Sequence, residues 1–492
     1  MKLSFISSIA DTTPPTTIII PFNPEDEKSV KLVQEQYLVH GFETIKNFVG
    51  KSDGKSQLIF HEIDGQPVTL LFSNCHMRNQ SQLNQHILST CYSHRMALHG
   101  HVVIDQRAAV NKDADKLFET YTRSLCLSQH EVGRYKSNKK PNEKSIDQVS
   151  VLSNVLTKSE VEVIFNRAKA SADTIMSCME LVDAPANHKR PQVLADWMEK
   201  SGKENNFSVN IINKKELEEQ GFHALLAVNR GSEDPACCIV AEYKGANSEN
   251  SPTIALVGKG VTFDTGGMSI KPSNNMHYMK SDMGGAAAVM GTMELVAKLK
   301  LPVHVIAVVP STDNSVDSLA VKPGDVIGSY EGSTIEIIDT DAEGRLILAD
   351  GLAYAIKNYD PEYIVDLATL TGSVVRTLGS HAAGLMTKND DLAEALTAAG
   401  ESSGDRVWRL PLWDEYEDYM QSDVADIRNL STKPIGGAIT AAKFLEHFTS
   451  KHEKWAHLDI AGTAFGASPY SKGYSASGFG ILLLLQWIEN IK

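Results

Sequence analysis

Apolar residues along this chain fall into two kinds of run, and their spacing predicts a layered α/β fold. Short, β-branched-rich runs at 253–257, 303–309, 334–338 and 363–367 read as buried strands. Between them lie helical patterns. In the stretch 285–298, for example, Ala286, Val289, Met290, Met293, Val296 and Ala297 recur on one side. Alternation of this kind favours a mixed or mostly parallel sheet covered by helices on both faces. Upstream, 57–60 and 68–72 read as strands among helical stretches, so residues 1–157 form a smaller N-terminal α/β domain. From about Ser159 to Val182, the apolar positions Val161, Ile164, Ala168, Ala172 and Ile175 give one long helix its stripe.

Two other segments read as structure without chemistry. Arg134 to Lys144 is polar, basic and broken by Pro141, the pattern of an exposed loop. The run Ile481 to Leu485 is far too short to span a bilayer and belongs to a buried terminal helix. No internal repeat interrupts this organisation.

Composition narrows the function classes. A chain of 492 residues is long for one domain. Its 61 acidic against 47 basic residues leave a formal charge of −14, which argues against a general nucleic-acid-binding role. Six cysteines show no CxxC spacing, and reduced thiols in a cytoplasmic protein are the simplest reading. The segment Met1–Ala10 is a poor signal peptide, and nothing predicts a membrane anchor.

The candidate chemistry sits where strands are expected to end. Ile338-Asp339-Thr340-Asp341-Ala342-Glu343-Gly344-Arg345-Leu346 places carboxylates two residues apart with a guanidinium close behind. An acid-rich turn capping a helix is the purely structural reading of that stretch. A second cluster weakens it: Val257 to Lys271, carrying Lys259, Asp264 and Lys271, followed by Lys280-Ser281-Asp282-Met283-Gly284-Gly285. Four carboxylates in one pocket would raise one another's pKa unless cations neutralise them. Two divalent ions balance that charge. The set is rich in oxygen and free of histidine although the chain has 16, so Mn²⁺, Mg²⁺, Co²⁺ or Zn²⁺ all remain open. In such sheets ligands gather beyond the carboxyl ends of strands, and Lys259 and Asp341 each fall just past one.

These clusters resemble the signatures of the leucyl aminopeptidase (cytosol aminopeptidase) family of dinuclear metallopeptidases. The similarity runs from about Leu181 to Gly480 and includes Leu181-Val182-Asp183-Ala184-Pro185-Ala186-Asn187, Ala368-Thr369-Leu370-Thr371-Gly372 and His457-Leu458-Asp459-Ile460-Ala461-Gly462. The resemblance implies a linking helix at 158–183 and a C-terminal catalytic domain at 184–492 with a central mixed sheet flanked by helices. It implies two metal ions, Zn²⁺ or Mn²⁺, held by Lys259, Asp264, Asp282, Asp341 and Glu343, with Asp264 and Glu343 touching both. Lysine as a ligand must lose its proton, and bringing its pKa from about 10.4 to about 7 corresponds to roughly 4.6 kcal/mol. Lys271 would polarise the scissile carbonyl. Arg345 would hold a bicarbonate that shuttles the proton from the attacking water.

The family's side-chain pocket maps onto Met279, Thr369, Leu370, Gly372, Ala461 and Ala464, which implies release of leucine-like N-terminal residues. A homohexamer with active sites on an interior cavity, acting on short peptides, is implied as well. Two departures stand out: Asp339 replaces the usual asparagine before Thr-Asp, and Ala476-Ser477-Gly478-Phe479-Gly480 replaces the common Ala-Thr-Gly-Arg-Pro. Two other classes compete: a two-metal phosphoesterase, since the same inventory suits phosphate, and a non-enzymatic scaffold or DNA-bending factor. The first lacks a GxxxxGK[ST] loop, and the net charge of −14 weighs against the second.

Overall fold

A computed structural model describes residues 1–12, 14–50, 56–77, 79–110, 113–137, 145–248 and 251–491. The described chain clusters into two compact units, Met1–Met176 and Ser177–Lys492. The helix Lys158–Asp183 is continuous across that boundary.

In the first unit, six described strands form one sheet in the order Lys2–Leu3, Ile146–Leu152, Gly100–Asp105, Thr16–Phe22, Gln66–Asn74 and Ser56–Ile63. Only the last pair is antiparallel. Thr16–Phe22 is buried along its whole length because the sheet carries an apolar core on each face. Ile19, Leu71 and Ile104 face one core, while Ile18, Leu70 and Val103 face the other. Of the expected basic loop, residues 134–137 form an exposed turn, and 138–144 lie outside the described residues.

In the second unit, nine described strands form a mixed sheet. At its centre Trp455–Asp459, Tyr363–Ala368, Thr253–Gly258 and His304–Asn314 run parallel. Ala383–Met386, paired with Val407–Arg409, closes one edge, and Cys237–Lys244 with Ser208–Ile212 closes the other. The short strand Gly260–Asp264 continues beside His304–Asn314 after a break at Lys259.

Side-chain alternation sorts the covering helices. Ala255, Val257, Ile306, Val308 and Ile364 point into a core shared with the helices His223–Asn229, Glu343–Tyr359 and Gly437–His447. The intervening positions carry the opposite face, which packs the helix Gly284–Lys298 and, beyond it, Ile481–Asn490.

Two expectations change on contact with this architecture. The helix at 284–297 is buried all round rather than along one stripe, because another helix layer covers the side away from the sheet. The expected strand at 334–338 shrinks to Ile335–Glu336, in a separate three-stranded sheet with Val326–Ile327 and Ile427–Arg428. Its apolar residues Ile335 and Ile337 are buried against the helix core instead of in the central sheet.

Candidate active site

The carboxyl ends of the central parallel strands converge on one cavity of about 1390 Å³. Lys259 occupies the break between Thr253–Gly258 and Gly260–Asp264, and Asp264 ends the second of these. Asp282 caps the 3₁₀ turn Met276–Ser281, and Asp341 and Glu343 lead into the helix Glu343–Tyr359. Segments far apart in the chain thus deliver the side chains that the sequence singled out.

Glycine makes the convergence possible. A Cβ on Gly344 would lie 2.4 Å from Lys259 Cε, so any side chain there would displace the lysine. Gly266 has φ +87°, and a Cβ on it would stand 2.7 Å from Asp341 Oδ1. The tight turn after Asp264 therefore depends on glycine both for its backbone and for space.

Two ammonium groups hold four carboxylates together. Lys259 Nζ lies 2.6 Å from Asp282 Oδ2 and 2.9 Å from Glu343 Oε1, and it donates to the Thr369 carbonyl at 3.0 Å. Lys271 Nζ lies 2.7 Å from Asp264 Oδ2 and 2.5 Å from Asp341 Oδ1. Carboxylate oxygens of Asp264, Asp341 and Glu343 fall within 4.8 Å of one another. Asp264 Oδ1 is fixed from behind by the Gly266 N–H at 2.8 Å and Asn314 Nδ2 at 2.9 Å.

Protonation follows from this crowding. Burial works against charge on Lys259, but Asp282, Glu343 and Asp264 outweigh it and hold the ammonium above the usual lysine range. Lys271 is raised in the same way, burial opposing and Asp264 foremost among the carboxylates that prevail. Burial lifts Asp282 well above the ordinary carboxylate range, with Lys259 pulling back. Asp341 rises to about 6, through burial first and then Asp264. With only the chain's own charges, Lys259 keeps its proton, so metal ligation by this residue requires a cation to displace it.

The residues fit divalent cations. Glu343 Oε2 is buried without a hydrogen-bond partner among the described residues, and Asp282 Oδ2 has no aligned hydrogen bond despite its close approach to Lys259. Closely packed oxygen donors with unused acceptor capacity suit hard divalent ions.

Arg345 stands apart from the lysines. Its Nη1 donates to the Asn429 carbonyl at 2.8 Å, and Nε has no partner among the described residues. Burial pulls its pKa down to about 10, with Glu343, Asp339 and Asp459 opposing, so it stays charged at neutral pH. Asn429 also ties down the acid motif: its Oδ1 accepts from Ile338 N at 2.8 Å, and its Nδ2 donates to Asp339 O at 2.6 Å. The Asp339 carboxylate lines the cavity and accepts from Asp341 N at 2.9 Å.

Of the expected pocket residues, Met279, Thr369, Leu370, Gly372 and Ala461 line the cavity. Ala464 does not. It is buried beneath the wall because its N–H closes a turn onto Ile460 O, which leaves its Cβ facing Gly284.

Sequence reasoning left Asp459 and Lys189 without a role. Asp459 Oδ1 accepts from Leu370 N at 3.1 Å and Ala461 N at 3.2 Å, and its Oδ2 accepts from Thr371 Oγ1 at 2.6 Å. It therefore clamps the turn whose neighbour Thr369 donates Oγ1 to Asp282 Oδ1 at 2.7 Å. Lys189, 1% exposed, donates to Val182 O at 2.9 Å and to Lys280 O, bracing the segment that ends in Asp282. The His457-Leu458-Asp459 block contained the only signal for the first; no local pattern marks the second.

Comparison with known proteins gives the site a context. Residues 176–485 match the model of the cytosol aminopeptidase family, catalytic domain. A probable cytosol aminopeptidase of Chlorobium phaeobacteroides is 44% identical over 384 residues, spanning 77% of this chain and 76% of that one. One of Chlorobaculum tepidum is 51% identical over 310 residues, 63% of this chain and 61% of the relative's length. Among solved structures, a mutant of tomato leucine aminopeptidase superposes with a TM-score of 0.86 at 29% identity, covering 99% of this chain and 96% of that chain. The bottromycin maturation enzyme BotP, in complex with Mn, gives a TM-score of 0.82 at 29% identity over 96% of this chain and 98% of that one.

Proposed function

This chain belongs to the cytosol aminopeptidase family and is an aminopeptidase, and from that premise we propose that it uses two divalent metal ions to release leucine-like residues from the amino ends of short peptides. One observation carries the metal dependence: four carboxylates gathered around two lysines at the strand ends, with the buried Glu343 Oε2 left without a partner among the described residues. Asp264, Asp282, Asp341 and Glu343 would hold the ions, and Lys259 would join them once deprotonated. Bound there, two divalent ions would supply Lewis-acid activation of a water and of the peptide carbonyl, and a site for the substrate's free amine.

The chain's own groups do the rest. Lys271, anchored at Asp264 and Asp341, presents a positive charge to the carbonyl oxygen as negative charge grows there. Arg345 is too basic to act as the general base, and its partially unpaired guanidinium suits a bicarbonate that passes the proton on. Met279 and Ala461 give the N-terminal side chain an apolar wall. Zn²⁺ or Mn²⁺, a homohexameric assembly and a cytoplasmic setting complete the proposal. Among the described residues, no helix is long and apolar enough to cross a membrane.

A paired substrate assay tests the amine requirement. Leucine anilide should be cleaved by the Mn²⁺- or Zn²⁺-loaded protein, its N-acetyl derivative should be inert, and chelation should abolish the first activity. Equal rates on the two anilides would rule out an aminopeptidase mode.

A further inference from the structure

The cavity holds more cationic groups than the proposed chemistry uses. Lys259 and Lys271 are committed to carboxylates, and Arg345, tied to the Asn429 carbonyl through Nη1 alone, is assigned to the bicarbonate. Two further cations, Arg376 and Lys433, line the same cavity from the segments that follow Gly372 and Leu430. Among the described residues Arg376 has neither an ion pair nor a side-chain hydrogen bond, and Lys433 Nζ meets only the face of Tyr419, 4.4 Å from the ring centre. The Arg376 guanidinium folds back along its own helix, with Nη1 3.7 Å from a Cβ built on Gly372.

Charge balance gives that pair a meaning. Two divalent ions held by Asp264, Asp282, Asp341 and Glu343 would neutralise them, which leaves Asp339 as the remaining acid among the described residues lining the cavity. Arg376 and Lys433 are then surplus positive charge in a space large enough for more than one residue of substrate. We infer that Arg376, assisted by Lys433, binds a carboxylate of the substrate, so that short peptides bearing that carboxylate are favoured over their neutral counterparts. This rests on the aminopeptidase reading above and adds the substrate's charge class to it. A guanidinium fork matches a carboxylate bidentately, which an ammonium cannot do. The carboxylate could be the free C-terminus of a short peptide or the side chain of an N-terminal Asp or Glu; the recognition chemistry is the same for both.

Matched substrate pairs distinguish the sources. The Mn²⁺-loaded wild type, Arg376→Gln, Arg376→Lys and Lys433→Gln are assayed on Leu-Gly against Leu-Gly amide, and on glutamyl against glutaminyl anilide. At a solvent-reached site a charge-assisted fork is worth about 3- to 5-fold in discrimination. The acid-to-neutral ratio of kcat/KM should fall by that factor in Arg376→Gln, mostly through KM, with partial recovery in Arg376→Lys and a smaller fall in Lys433→Gln. A fall confined to the first pair identifies the C-terminal carboxylate, and one confined to the second identifies the side chain. Ratios that stay within twofold of wild type on both pairs overturn the inference alone. A wild type that cleaves none of the four overturns the aminopeptidase reading, and this inference with it.

Discussion

Glu343 sets the terms at the scale of single residues. One oxygen approaches Lys259 at 2.9 Å, and the other is buried without a partner among the described residues. Glu343→Ala is expected to lose bound metal and nearly all activity while the protein stays folded, because the helix Glu343–Tyr359 keeps its apolar face. Metal analysis after gel filtration checks this; two ions per chain retained in the variant would remove Glu343 from the ligand set. Asp339 makes the useful contrast. It contributes a hydrogen bond to Asp341 N that an asparagine oxygen can also accept, so Asp339→Asn should change activity by less than a few-fold. A collapse matching that of Glu343→Ala would give Asp339 a direct role.

Two braces govern the cavity wall at the scale of elements. The turn after Tyr363–Ala368 is held by Asp459, a buried carboxylate raised by its desolvation and drawn back by His457. His457 in turn bonds Asp366 Oδ1 at 2.5 Å from Nδ1. Asp459→Asn keeps the shape but exchanges an acceptor for a donor, a cost of about 1 kcal/mol for a typical hydrogen bond. KM for leucine amide should rise several-fold with both metals still bound, and an unchanged KM would release Asp459 from that role.

Lys189 braces the other side, with its amine lowered to about 7 chiefly by burial. The folded chain therefore sheds this proton above about pH 7, while the unfolded chain keeps it to about 10.4. Across that window the unfolded state binds more protons, so this residue makes stability rise with pH, by at most about 1.4 kcal/mol per unit. Lys189→Met should lack that slope. Urea unfolding of metal-free wild type and variant between pH 7 and 9.5 tests the difference; parallel curves would show that the amine is not held neutral.

At the scale of the whole molecule, the candidate ligands all belong to the unit Ser177–Lys492. Ligand binding stabilises the state that binds it. Addition of Mn²⁺ should therefore slow amide exchange around 259–271, 276–283, 339–346 and 369–371, and leave the core strands of Met1–Met176 unchanged. Hydrogen exchange with mass-spectrometric readout can see this directly. Equal protection in both units would mean that metal acts through something other than the carboxylate cluster.

Sequence alone determined what local patterning encodes. Runs of β-branched residues separated by helical stripes report burial on a sheet, and Thr253–Gly258, Tyr363–Ala368, Gly284–Lys298 and Lys158–Asp183 lie where those patterns put them. The acid motifs were legible for the same reason: glycine and carboxylate sit within a few residues of each other at strand ends. Tertiary structure decided everything that depends on strand order. The pairing of Asp366 with His457 and the clamp of Asp459 on Leu370 join residues about ninety apart, and neither follows from spacing along the chain. Ala464 shows the converse, since one tight turn hides a residue that the family resemblance places in the pocket. The strand at 334–338 fell short because its apolar residues found a helix core before a sheet edge. Arg376 looks like any surface cation in the sequence, and only the fold brings it to the cavity that the carboxylates line.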